Sequence, residues 1–270
     1  MTIKLISMKN SNNIRSEILS FLNDSTAQFW AVMTSGYSPE TGQEINGAPY
    51  GFETEKIVQI FERNPLTLPV FAFRDRPFFP GQDDVFGMAS IGIGREHSKN
   101  IILNSLTSEV GSGKDALLLF LSQRNAEVES PSENDLFDLG AVVYLWPYLN
   151  KRKEMKICYR TLCRARVQKW VNATPWINAE VELLPTPLGN REEIIDLIKR
   201  EKEFIDTSLN SKGFDISIFL ENPSDHLLRS LSWRLASVLD LPIDENMVVF
   251  SAPTVFAQIE KQIQCLRACK

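Results

Sequence analysis

Near Pro187 the apolar residues of this chain switch from strand-like to helical spacing, and that change constrains the fold more than any other feature. From residue 66 to 186 they come in short runs bounded by turn formers, the pattern of strands. From 187 to 270 they recur three and four apart, the pattern of helices. Strands followed by helices predict an α+β chain: a mainly β lobe, then a C-terminal helical lobe. Helices threaded between the strands of one parallel sheet would contradict this reading.

The predicted strands are Leu68–Phe73, Val85–Ile93, Leu117–Leu121, Gly140–Leu149, Met155–Val171 and Trp176–Leu183. Leu117–Leu121 holds no polar residue, which suits a strand buried on both faces. A charged turn at Lys151–Glu154 predicts a hairpin between its neighbours. One helix is expected around Ser98–Leu106. Beyond Pro187, a first helix carries Ile194 through Leu209 and stops at Gly213. A second opens at Pro223-Ser224-Asp225 and breaks at Leu241-Pro242, and a third opens at Ser251-Ala252-Pro253. Residues 1–65 read as an N-terminal helical extension. Ile14 to Leu22 has helical spacing, Ser35–Gly51 has loop composition, and a short helix over Glu53–Arg63 ends at Asn64-Pro65. The expected domains are 1–65, 66–186 and 187–270.

The net charge of −5 gives the whole molecule no electrostatic claim on nucleic acid or anionic membrane. No apolar run approaches the roughly 20 residues that span a bilayer, and the N-terminal apolar stretch is too short for a signal peptide. The expected location is cytoplasmic. Cys158, Cys163, Cys265 and Cys269 contain no C-x-x-C pair, so free thiols are expected and no metal site. Gly111-Ser112-Gly113-Lys114 resembles a phosphate loop only superficially. The motif G-x-x-x-x-G-K-S/T needs glycine where Ser108 stands and a hydroxyl where Asp115 stands. No catalytic residue and no cofactor are expected. A basic cluster runs from Lys151 to Lys169, with Arg152, Lys153, Lys156, Arg160, Arg164 and Arg166 between them. It reads first as a solvated hairpin face, and second as a patch for acidic segments or nucleic acid.

Seven segments, in order, carry a resemblance. They are L-P-V-F-A-F-R-D-R-P-F-F-P-G (68–81), G-I-G-R-E-H-S-K (92–99), A-L-L-L-F-L-S-Q-R (116–124) and A-E-V-E-S-P-S-E-N-D-L-F-D-L-G-A-V-V (126–143). After these come Y-R-T-L-C-R-A-R-V (159–167), N-A-E-V-E-L-L-P (178–185) and the stretch 240–260. Together they resemble the N-terminal, substrate-binding domain of Lon proteases. Thr161 stands where that family often has glycine, and Phe78-Phe79 replaces an aliphatic pair. The first 65 residues have no recognised counterpart.

The resemblance implies a PUA-like, pseudo-barrel β lobe with a helical lobe, and recognition of protein or unfolded polypeptide without chemistry. The chain is expected to end before any ATPase or peptidase, and to act as an adaptor or regulator of proteolysis. Alternatives are the recognition part of an ATP-dependent protease whose catalytic parts lie on another chain, or a nucleic-acid-binding regulator using the hairpin 151–169. Phe78, Phe79, Trp146 and Tyr148 are the expected partner-binding residues, because proline-marked turns flank them and aromatic side chains suit apolar clients.

Overall fold

A computed structural model describes residues 36–37, 44–45, 59–61, 63, 65–74, 77–87, 116–149, 155–173, 176–210, 216–221, 223–239 and 241–268. Its strands are β1 (Gly36–Tyr37), β2 (Glu44–Ile45), β3 (Leu66–Phe73), β4 (Asp83–Gly87), β5 (Ala116–Ser122), β6 (Leu139–Leu149), β7 (Met155–Ala173) and β8 (Trp176–Leu184). The expected helices over Ile14–Leu22 and Ser98–Leu106, the Gly111–Lys114 segment and the turn 151–154 lie outside the described residues.

The order β6-β5-β3-β8-β7, closed by pairing of β6 with β7, makes a five-stranded barrel. Closure removes the exposed strand edges that an open sheet of this size would present. β3 and β5 pair in parallel, and the other barrel pairs are antiparallel. β7 can serve three neighbours because it is long and irregular. Its first half pairs with β6 and β4, its second half with β8, and register shifts fall at Val142/Val143 and Val167/Lys169. Such bulges bend a strand and sharpen its twist, as a small barrel requires. Gly140 makes the β5–β6 approach possible: a Cβ there would lie 2.2 Å from the carbonyl oxygen of Phe120.

Strand alternation divides the β lobe into two apolar layers. Leu66, Leu68, Val70, Leu117, Leu119, Leu121, Val142, Tyr144 and Val181 fill the barrel. Phe71, Phe73, Leu118, Phe120, Val143, Leu145 and Tyr159 form a second cluster on its outside. The continuous apolar run in β5 follows from this, since both of its faces are covered.

The helical lobe contains α1 (Arg191–Arg200), α2 (Lys202–Asn210), α3 (Ile218–Glu221), α4 (Asp225–Val238), α5 (Ile243–Phe250) and α6 (Val255–Ala268). The Asn190 side chain caps α1 by accepting from the Glu192 N–H, and Ser224 caps α4 by accepting from Leu227. Ile194, Ile198, Leu228, Leu231, Leu235, Ile259 and Ile263 form its core.

The structure differs from the sequence reading in the helical lobe, where α3 is also additional, and in one loop. The single helix expected from Ile194 to Leu209 is two, broken at Glu201, whose buried carboxylate pairs with Arg267 of α6. The stretch between Leu241-Pro242 and Ser251 holds its own helix, α5, with Pro242 at its start. The loop expected over Ser35–Gly51 contributes β1 and β2, with Tyr37 paired to Leu149 of β6.

Candidate functional site at the lobe junction

The segment Phe78-Phe79-Pro80-Gly81-Gln82 begins the site. Gly81 has a positive φ of 82°, a conformation glycine takes without strain. The Gly81 N–H donates to the Thr161 carbonyl at 2.9 Å, and the Thr161 N–H donates to the Gln82 carbonyl at 2.9 Å. The Gln82 side chain accepts from the Phe79 N–H and donates to the Tyr159 hydroxyl, each at 3.2 Å. The turn is therefore fastened to β7. Thr161, the departure from the family pattern, supplies both backbone bonds.

Fastening the turn drives its two rings inward. The Phe78 ring lies 4.4 Å from Phe73, 5.0 Å from Phe120 and 5.5 Å from Tyr159, all edge-on. Phe79 meets Phe250 of α5 edge-on at 5.3 Å. These are favourable aromatic geometries. Only 7% of Phe78 and 2% of Phe79 is exposed. A proline-marked turn implied surface, but its hydrogen bonds to β7 and the cover of α5 make this turn interior.

Trp146 and Tyr148 sit on β6 opposite Cys158 and Lys156. The residue before Trp146, Leu145, pairs with Tyr159, the ring that touches Phe78. The backbone thus brings all four expected residues to one region of β6 and β7. The side chains of Trp146 and Tyr148 lie outside the described part.

The accessible apolar surface of this region comes from other residues. Phe73, Phe137, Trp233, Leu241 and Ile243 are half-buried against the outer cluster. Val248, on the outward face of α5, is 57% exposed. The guanidinium of Arg124 lies 4.5 Å over the Phe137 ring, and that of Arg234 lies 4.7 Å over Trp233. These residues come from β3, the β5–β6 connection, α4, the link after α4 and α5. Sequence reasoning missed Ile243 and Val248 because α5 occupies a stretch that reads as a helix break.

Arg164 joins the lobes. Its side chain, 5% exposed, donates from Nη1 to the carbonyls of Phe250 (2.9 Å) and Ala252 (2.8 Å) and from Nη2 to Pro185 (3.2 Å). Its neighbours in the basic cluster are dispersed as well. Arg160 is buried, Lys169 pairs with Glu180 at 3.6 Å, and Arg166 stands opposite Glu182 in register. Lys151, Arg152 and Lys153 lie outside the described residues. Among the described residues no group of His, Cys, Asp and Glu has the arrangement of a metal site, and no helix is long and apolar enough to cross a membrane.

A closed five-stranded barrel that carries a helical lobe on its outer face is the architecture of a Lon N-terminal domain. The N-terminal domain of Mycobacterium avium complex Lon protease shares it with a TM-score of 0.53 at 14% identity, over 74% of this chain and 98% of that one. Residues 67–268 match the family model described as the ATP-dependent protease La (LON) substrate-binding domain, and the chain belongs to that family. Lon protease of Koribacter versatilis is 29% identical over 135 residues, which are 50% of this chain and 15% of that protein. Lon protease 2 of Myxococcus xanthus is 23% identical over 210 residues, 75% of this chain and 24% of that protein. The matched segment therefore spans about a quarter or less of these relatives' length.

Proposed function

We propose that this protein is a recognition module that binds apolar segments of protein or unfolded polypeptide at the lobe junction and performs no chemistry of its own. The family match over residues 67–268 carries the proposal. The surface at the junction supports it in physical terms. Phe73, Phe137, Trp233, Leu241, Ile243 and Val248 expose apolar area around a firm aromatic floor. Such surface binds apolar side chains without strict sequence preference. Phe78 and Phe79 take part as that floor, which shapes the surface from beneath. The proposal extends to association with a Lon-type protease, for which the module would act as adaptor or regulator. The dispersal of Arg160, Arg164 and Lys169 into buried or paired positions favours this over a nucleic-acid reading.

The test is binding of a reduced, unfolded model protein to the intact chain and to an Ile243→Ser, Val248→Ser variant. Affinity is expected to fall about tenfold, corresponding to roughly 1.4 kcal/mol of lost apolar contact, and to vary little with salt. Equal binding by the variant removes these residues from the site. Binding that collapses with moderate salt, as phosphate contacts do, moves the function to the basic hairpin.

A further inference from the structure

We infer that Arg164 is the positioning residue of this surface: it locks the helical lobe to the barrel, so that the lobes and the strap between them move as one body. The inference rests on the proposed recognition only in making the junction the binding surface. The lock itself follows from the bonds described.

The segment Pro185-Thr186-Pro187-Leu188-Gly189 looks like a hinge in sequence, rich in proline and ending in glycine. A hinge needs backbone free to turn. Here four successive carbonyls are engaged, from both lobes. Pro185 accepts from Arg164 of β7, and Thr186 accepts from Arg229 of α4. Pro187 and Leu188 accept from the N–H groups of Val255 and Phe256, at 3.0 and 3.1 Å, at the start of α6. Gly189 follows with φ of 88°, and a Cβ there would lie 3.2 Å from that of Phe256. The strap is bonded along its length.

Phe250 is where the lock closes. Its ring packs on Phe79, and its carbonyl accepts from Arg164 and, at 3.2 Å, from Gln258 of α6. Gln258 in turn accepts from the Ser232 hydroxyl of α4 at 2.9 Å, and Gln262 donates to the Ser232 carbonyl at 2.7 Å. A path of buried bonds thus runs from β7 through the end of α5 into α6 and α4. The carbonyls at a helix C-terminus carry partial negative charge, which suits a guanidinium. Its planar fork can serve several acceptors at once, whereas a lysine ammonium acts as a compact point charge.

The test measures the distance between bio-orthogonal labels at Gln168 on β7 and Gln264 on α6, both exposed. The otherwise unchanged full chain is expected to give one narrow distribution. Arg164→Met is expected to broaden it severalfold while the helix content seen by circular dichroism is kept, with Arg164→Lys intermediate. Hydrogen exchange on the unsubstituted protein provides a second arm that needs no variant. The Val255 and Phe256 amides should exchange within tenfold of Leu119 in the barrel. A folded Arg164→Met with the original narrow distribution overturns the inference. So do strap-bonded amides that exchange a hundredfold faster than Leu119. Neither arm uses polypeptide, so absence of polypeptide binding with both results as expected would remove the recognition reading and leave the lock standing.

Discussion

The two faces of the barrel wall are built from different side chains. Toward the axis stand Leu66, Leu68, Val70, Leu117, Leu119, Leu121 and Val142, with the Tyr144 ring among them and Phe61 and Trp170 packed against them. Toward the helical lobe, beside Leu118, Val143 and Leu145, stand the rings of Phe71, Phe73, Phe78, Phe79, Phe120 and Tyr159. A five-stranded barrel leaves a narrow interior that compact aliphatic side chains fill for the most part at normal packing density. The space between a barrel wall and a helix layer is wider, and large rings span it. The rings of Phe71, Phe73, Phe78, Phe120 and Tyr159 also meet one another, tilted or edge-on, at 4.4–5.5 Å, which makes the outer layer a connected floor. The interior therefore sets stability, while the outer layer sets how the lobes join and what surface they present.

The strongest disturbance should come from the wall itself. Gly140→Ala puts a Cβ 2.2 Å from a backbone oxygen that cannot move without parting β5 from β6. Chemical denaturation should show a loss of about 4 kcal/mol, at the upper end for single substitutions. Next comes the interior. Leu119 is fully buried, and Leu119→Ala should cost about 3 kcal/mol through lost burial plus a cavity. The outer rim should be more forgiving. Phe73→Leu keeps the residue apolar at a half-exposed place and should cost about 1 kcal/mol. Equal losses for Leu119→Ala and Phe73→Leu would erase the distinction between the two faces.

The smallest effect lies in the β5–β6 connection beneath Phe137. The Asp135 carboxylate accepts from the Ser132 hydroxyl at 2.6 Å and from its N–H at 2.8 Å. These bonds, the hydroxyl first, hold its pKa below the ordinary value. A lowered folded pKa means the turn is favoured above the unfolded pKa and loses that preference as pH falls through the folded one. Amide resonances of Ser132 and Asp135 should therefore shift only below the usual carboxylate range, with the global fold intact.

Much of the fold is legible in the chain because strand and helix spacing are direct consequences of burial. The run Leu117–Leu121 announces a strand covered on both sides, and β5 is one. Ser224 marks the start of α4 through its side-chain bond to Leu227, as the Pro-Ser-Asp sequence suggests. The site is less legible. Phe78 and Phe79 carry the right chemistry, but burial depends on Thr161 and Gln82, distant in sequence or hidden in a turn. Arg164 reads as one charge in a basic run. Its acceptors are backbone carbonyls 21 to 88 positions away, which no local pattern encodes. α5 escapes notice because it is short and the polar run Asp244-Glu245-Asn246 separates Ile243 from its other apolar residues.

The most direct test of the account is a methyl chemical-shift map of the intact protein titrated with an unfolded model polypeptide. Shifts are expected at Leu241, Ile243 and Val248 on the outer layer, with Leu68, Leu119 and Leu162 inside the barrel unmoved. Shifts confined to Val167 and Val171 on the β7–β8 hairpin, with the junction methyls silent, would contradict it.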